Sequence, residues 1–482
     1  MEEIKMYKTS DLVLDVNQNY DPEKLPLQEW DRYLDILVNG RQFQKEAIQN
    51  SIIFLASRLY RNTRHLIEEN WKDSKKFEIK SRFTNLADYQ KQLQLPSKLS
   101  ATIDLATGTG KSYVIYGIAQ IMLGLGLVDR VLVLCPSLTI EDGLIEKFTG
   151  LSADSQLVNA IPVNAKWKNP SIKSADVTIK EGDICVENIH AVYETTGSSI
   201  KVSFADNGRR TLVLNDEAHH IYNKFEGRDK ATKSIKKWKE FILNPDFNFK
   251  YSLGFTGTAY IEDEYFNDVI YRYSLRQAVD DKMVKMVDYV SKDDDLIIDI
   301  KFQKIYENHY QNTLNYRLVK PLTILVTKDI KNAKRLVTQL SEFLQKHKNL
   351  TEDEVKEKIL IVTSHADHKA NIQKLKEVDD KNDPVEWIVS VSMLTEGWDV
   401  KNVFQIVPWE DRAFNSKLLI AQVLGRGLRI PPEYQNPQPK VRIFNHDAWS
   451  RKIKGLVDEI LEIEKRLVSS PLERSDRAKY HF

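Results

Sequence analysis

The stretch Ala106-Thr107-Gly108-Thr109-Gly110-Lys111-Ser112 constrains this chain more than any other. Residues 101–105 before it are short and largely apolar, as a buried strand is. Residues 113–127 after it are mostly apolar and long enough for a helix. A strand, a glycine-rich turn and a helix in that order make a cradle for phosphate. Glycine lets successive backbone N–H groups curl around anionic oxygens, and the helix N-terminus adds partial positive charge. In such a cradle Thr107, Gly108, Thr109 and Gly110 wrap a nucleotide, Lys111 reaches its β- and γ-phosphates, and the Ser112 hydroxyl binds Mg²⁺. Leu105 stands where the strict GxxxxGK[ST] spacing has its first glycine, so the stretch alone also fits a glycine-rich turn beside a Lys-Ser pair.

Composition sets wide bounds. A chain of 482 residues suits about three domains. Seventy Lys plus Arg against 69 Asp plus Glu leave no global positive field, although a neutral chain can carry a local basic groove. Cys135 and Cys185 are too few for a disulfide framework or a cysteine zinc site, and they read as small buried residues in a reducing compartment. Residues 1–10 are charged and lack an apolar signal core. No apolar run approaches the ~20 residues of a membrane span. The expectation is a soluble, cytoplasmic protein with no membrane contact.

Short apolar runs at residues 131–134, 211–214, 251–255, 323–326, 359–362, 387–391, 403–407 and 441–444 read as buried parallel strands. Helical periodicity separates several of them, as at residues 332–345, which argues for an α/β chain with mostly parallel sheets. The runs fall into two groups. Between them lies the polar stretch 280–295 with Asp293-Asp294-Asp295, read as a connection with a boundary near residue 290 and a solvated acidic turn. Residues 151–203 alternate apolar positions with turn residues and suggest a small β-rich insertion. Residues 448–468 carry helical periodicity through Ile453, Leu456, Val457, Ile460, Leu461, Ile463 and Leu467.

Asn215-Asp216-Glu217-Ala218-His219 follows the strand-like run 211–214. An acidic pair at a strand end, downstream of a phosphate loop, has a clear use. Asp216 can hold Mg²⁺ and Glu217 can orient and polarise an attacking water. The competing reading is a helix start, where carboxylates are favoured by the dipole. At these residues the chain resembles the superfamily 2 helicases and translocases of the DEAH-box type. Ser252-Leu253-Gly254-Phe255-Thr256-Gly257-Thr258 is similar to their element coupling hydrolysis to nucleic acid, with Ala259 in place of the usual proline. The resemblance implies coupling roles for His219, Thr256 and Thr258. Leu394-Thr395-Glu396-Gly397-Trp398-Asp399 resembles the fifth motif, which implies that Gly397 and Asp399 face ATP. Gln422-Val423-Leu424-Gly425-Arg426-Gly427-Leu428-Arg429 resembles the sixth. Arg41-Gln42-Phe43-Gln44-Lys45-Glu46-Ala47 resembles the adenine-reading element, with Gln44 at the reading position.

The residues of the sixth motif agree with that reading. Gln422, Arg426 and Arg429 share a helix face at i, i+4 and i+7. A rigid guanidinium supplied across a cleft stabilises the charge of a γ-phosphate in transit, an effect of about 10³–10⁵ in rate. The alternative is a basic face paired with surface carboxylates, against which Gly425 and Gly427 weigh, since glycine is costly inside a helix. The resemblance also implies phosphate grips at Pro136, Ser137, Asn188, Thr327, Lys328, Ser392 and Thr395, residue types that suit sequence-independent contacts and serve loops and caps equally.

The implied fold is α/β, with two tandem RecA-like parallel-sheet domains around an ATP cleft. Residues 1–35 form an N-terminal helical extension, 36–290 the first domain, 291–447 the second, and 448–482 a C-terminal helical extension. Within the superfamily the chain resembles the restriction (Res) subunit of type III restriction–modification systems. The resemblance is carried by residues 104–112, by 215–220, by 396–399 and by Tyr271-Arg272-Tyr273-Ser274-Leu275-Arg276-Gln277-Ala278. It implies ATP, Mg²⁺, duplex DNA, a methyltransferase (Mod) partner and a nuclease domain or subunit. Residues 430–482 are too few for a PD-(D/E)xK nuclease, and the Glu-x-Lys triplets at Glu78 and Glu354 fit chance in a charged chain. The expectation is a chain that does not cut DNA by itself. An RNA or single-strand unwinding enzyme and an idle ATP-sensing scaffold stay open. His365, Asp367 and His368 read as a loop after a strand, and His219-His220 lacks a third zinc ligand.

Overall fold

The computed structural model describes residues 12–190, 192, 198–222, 230–261, 264–290, 298–363, 368–391, 400–409, 427–434 and 436–444. The first sheet contains β1 (Leu99–Leu105), β2 (Arg130–Cys135), β3 (Ile172–Lys173), β4 (Ile184–Asn188), β5 (Thr211–Asp216), β6 (Tyr251–Thr256) and β9 (Val269–Tyr273). Their order is β3-β4-β2-β5-β6-β1-β9, with every pairing parallel. Between β6 and β9 a small antiparallel pair, β7 (Tyr260–Ile261) and β8 (Glu264–Tyr265), stands apart. Strands β1, β5 and β6 are buried along their whole length, as parallel strands covered on both faces must be.

The second sheet contains β10 (Met286–Val290), β11 (Leu322–Thr327), β12 (Ile359–Val362), β13 (Trp387–Val391), β14 (Val403–Pro408) and β15 (Lys440–Phe444). Its order is β10-β15-β14-β11-β13-β12, again parallel throughout. Each apolar run singled out in the sequence lies in one of these strands.

Three expectations change. The polar stretch 280–295 contains β10, which pairs with β15, so the passage from one sheet to the other falls between Tyr273 and Met286. The strand was masked by Asp288, whose carboxylate accepts two hydrogen bonds from Arg442 on the neighbouring strand, 3.0 and 2.9 Å. Residues 151–203 are not a separate β-rich element: their strands β3 and β4 extend the first sheet itself. At the N-terminus, Leu14 and Val16 are buried in non-helical backbone, and Leu14 N–H donates to the Val269 carbonyl of β9 at 2.7 Å. Within the described part of residues 13–38 the helices are Leu27–Trp30 and Asp31–Val38. The tail 448–482 lies outside the described residues.

Local chemistry sets the helix starts. Ser137 caps Leu138–Ala153, Asp329 caps Ile330–Lys348, and Thr351 forms a capping box with Glu354. Glu354 is therefore engaged in a helix cap, and Glu78 sits in the helix Phe77–Arg82.

Candidate nucleotide-binding site

Strands β5, β6 and β1 are neighbours, so the loops leaving their C-terminal ends meet. In open parallel sheets that edge is where ligands bind. After β1 the chain turns at Gly108 and Gly110, with φ of +86° and +87°, a region that side chains other than glycine rarely adopt. The Thr109 hydroxyl donates to the Ala106 carbonyl at 2.6 Å and closes the turn. Lys111 then opens the helix Lys111–Gly124, which leaves Lys111 and Ser112 at its positive N-terminal end. The order strand, loop and helix is the one expected from the sequence.

After β5, Glu217 takes a left-handed backbone, φ +52°, which brings its carboxylate over the phosphate loop. Its Oε1 lies 3.6 Å from Lys111 Nζ, and its Oε2 lies 3.5 Å from His219 Nδ1. Asp216 is buried, and its Oδ1 accepts the Glu217 N–H at 3.1 Å. His219 is buried too, with Nδ1 3.2 Å from Thr256 Oγ1 and 3.3 Å from Thr258 Oγ1. The two threonine hydroxyls are 3.1 Å apart. Lys111, Glu217, His219, Thr256 and Thr258 thus form one continuous chain of polar contacts. Gly257 completes the packing: a Cβ there would lie 2.6 Å from Thr107 Oγ1 and 3.0 Å from the Leu105 carbonyl, so only glycine lets the two loops touch.

Gln44 sits beside this loop on the helix Gln42–Ala56 and is fully buried. Its amide nitrogen donates to the Thr109 carbonyl at 2.7 Å, while Oε1 has no hydrogen-bond partner among the described residues. Arg429, from the chain beside the second sheet, reaches the same loop: its Cγ lies 3.1 Å from where a Cβ of Gly108 would stand. Gln422, Arg426, Gly397, Asp399, Ser392 and Thr395 lie outside the described residues.

The expected phosphate grips separate into two kinds. Pro136 and Ser137 follow β2, and Lys328 is exposed at the end of β11. Ser137 also accepts the Ile140 N–H at 3.4 Å as a helix cap. Asn188 and Thr327 correct the expectation. Asn188 is buried and its Nδ2 donates to Glu141 at 2.6 Å and to Glu187 at 3.3 Å. Thr327 is buried and its hydroxyl faces the Asp329 and Ser390 carbonyls, at 3.2 and 3.3 Å. Both side chains hold their own loops and present no donor outward. The sequence signal missed here was the carboxylate partner, Glu141, fixed 47 residues upstream.

Burial pushes Glu187 up to about 7, and the nearby Glu141 carboxylate adds to the rise against a hydrogen bond from the Ala175 N–H. Among the described residues no group of three or more His, Cys, Asp or Glu could hold a metal, and no helix is long and apolar enough to cross a membrane.

Two parallel sheets with a phosphate loop and an acidic pair on one edge make an α/β architecture suited to holding a nucleotide. Residues 37–261 match the family described as type III restriction enzyme, res subunit. The fold is similar to a fragment described as an HsdR subunit of a type I restriction enzyme from Vibrio vulnificus YJ016. Identity is 18%, TM-score 0.50, and the match covers 88% of this chain and 67% of that one. S. cerevisiae Dbp5 bound to RNA and ADP BeF3 is similar at 12% identity and TM-score 0.48, over 90% of this chain and 93% of that one. The type ISP restriction–modification enzyme LlaBIII bound to DNA is similar at 14% identity and TM-score 0.47, over 75% of this chain and 28% of that one. A search of the curated proteins gives no significant match. Residues 37–261 resemble the Res-subunit family, and the two-sheet fold is similar to that of the HsdR fragment.

Proposed function

We propose that this chain hydrolyses ATP to move along duplex DNA, as the motor of a type III restriction-like, phage-defence enzyme in the cytoplasm. The observation that carries the reading is the convergence of Lys111, Glu217 and Arg429 on one glycine-rich loop. Lys111 lies 3.6 Å from Glu217, so a bound γ-phosphate would share the ammonium and leave the carboxylate to orient water. The donors Ser112 and Asp216 are a hydroxyl and a carboxylate, hard oxygen ligands that suit Mg²⁺. Bound there, Mg²⁺ would offset the charge of the phosphates and of the two acidic residues.

His219, Thr256 and Thr258 couple the site to nucleic acid. A change in the Glu217 contact is felt at His219, 3.5 Å away, and passes to the loop that β6 feeds. Arg429 supplies positive charge from the second sheet, together with Arg426, Gln422 adds an amide donor, and Gly397 and Asp399 face the nucleotide. Gln44 reads adenine once its amide turns from the loop carbonyl. Pro136, Ser137, Lys328, Ser392 and Thr395 touch the phosphate backbone, and a Mod subunit and a nuclease domain or subunit complete the enzyme.

The test is ATP hydrolysis by the chain alone and with duplex DNA, single-stranded DNA or RNA at low salt, where backbone-driven binding is strongest. Duplex DNA is expected to give the largest stimulation. Stimulation by RNA or single strands only would reassign the chain to strand separation, and no hydrolysis with any of them would favour an ATP-sensing scaffold.

A further inference from the structure

Lys285 is a fully buried cation that the nucleotide chemistry does not use. It ends the short connection that leaves the helix Leu275–Asp280 and enters β10. Its ammonium donates to the carbonyls of Lys401 at 2.6 Å, Gly427 at 3.2 Å and Arg429 at 2.5 Å. Three carbonyls match the three protons an ammonium carries. The Lys285 backbone N–H donates to the Leu428 carbonyl at 2.7 Å, so one residue binds three consecutive carbonyls of the segment that bears Arg429. The ammonium also lies over the Phe404 ring, 4.7 Å from its centroid.

This arrangement has an uncommon cost. Burial drives Lys285 well below the usual lysine range, with only Asp379 acting in the opposite direction. A buried ammonium is tolerated where each of its protons meets an acceptor, here three backbone carbonyls. What they hold is functional in placement. Residues 427–429 carry Arg429 onto Gly108, and Val284, next to Lys285, lies against the same Gly108 face. Lys401 closely follows Asp399 in the chain. Lys285 therefore ties the connection between the sheets to the two segments of the second sheet that bear nucleotide-facing residues.

We infer that Lys285 is a positioning residue for hydrolysis, which fixes the backbone of residues 427–429 so that Arg429 meets the phosphate loop. The inference rests on the reading that Arg429 serves ATP hydrolysis. A small misplacement of a charged group near a reacting phosphate is costly in rate even when binding survives.

The experiment is a double-mutant cycle in the full chain, with ATP turnover measured in the presence of duplex DNA for wild type, Lys285→Met, Arg429→Ala and the double variant, alongside ATP affinity and thermal midpoint. Lys285→Met is expected to lower kcat about ten- to a hundredfold while KM changes less than about twofold, and to add nothing on top of Arg429→Ala. An equal further loss in the Arg429→Ala background overturns the positioning role while leaving Arg429 in place. So does a loss confined to KM or to the thermal midpoint. If Arg429→Ala leaves kcat unchanged, the reading of Arg429 itself falls and the positioning role falls with it. Should Lys285→Met not fold, Lys285→Gln, which keeps two donors without the buried charge, carries the same cycle.

Discussion

In the first sheet Glu187 stands at the C-terminal end of β4, buried beside Glu141, and its pKa is pushed up to about 7. In the second sheet Glu386 stands just before β13, at the opposite edge, and its pKa is held at about 2. Burial alone would raise Glu386, but His309 and Lys358 outweigh it with hydrogen bonds and charge. Around Glu386 the polar groups close on one another: His309 Nδ1 lies 3.0 Å from the Thr323 hydroxyl, and Gln405 donates to that hydroxyl at 3.1 Å and to the Ile305 carbonyl at 3.1 Å. This network seats the helix Ile298–Asn315 on the second sheet, away from the nucleotide edge. At the C-terminal edge of the first sheet, by contrast, carboxylates lie close together, Glu217 is held at positive φ, and His219 faces three oxygens at once. Positive-φ backbone and closely set ionisable groups gather where chemistry is proposed, and an interlocked polar network gathers where the fold needs holding.

That contrast can be broken or sharpened. The largest effect is expected at Lys111→Ala, which should lower ATP turnover by about a hundredfold or more while the thermal midpoint stays near wild type; a stopped assay of phosphate release checks it. Gly257→Ala should follow. A methyl pressed against Thr107 and Leu105 should raise KM for ATP about tenfold and cost about 1–3 kcal/mol in denaturant unfolding.

On the other sheet, Glu386→Gln should leave ATP turnover unchanged but lower stability at neutral pH by about 2 kcal/mol. The sign follows from the depressed pKa. Ionised Glu386 stabilises the fold above the ordinary carboxylate value of 4.5, and that contribution is lost as pH falls toward about 2. The gap between wild type and variant in denaturant midpoint should therefore shrink on acidification. Glu187 should show the reverse and the smallest effect. Its raised pKa means the fold binds this proton more tightly than the unfolded chain, so stability declines as pH rises from about 4.5 to about 7. Glu187→Gln should flatten that decline in a series of thermal midpoints.

The parts of the fold that were legible in the sequence share one property: the signal is local. The strands at 131–134, 211–214 and 251–255 are apolar runs buried on both faces, and the loops after them begin with fixed residue types. The meeting of His219 with Thr256 and Thr258 was expected from a family resemblance, since 37 residues separate the partners. What stayed hidden depended on distant compensation. β10 carries Asp288, paired with Arg442, 154 positions on. Asn188 reads as an outward polar residue until Glu141 is beside it. Lys285 lies in a charged stretch and gave no hint of burial, because the three carbonyls it meets come from residues 401–429.

The central claim is that Glu217, poised over Lys111, orients the water that attacks ATP. The most direct test is Glu217→Gln, with ATP binding and single-turnover hydrolysis measured on the same preparation in the presence of duplex DNA. The account predicts ATP affinity within about threefold of wild type and turnover lowered by about a hundredfold or more. Turnover equal to wild type would contradict it and move the water-orienting role to another residue.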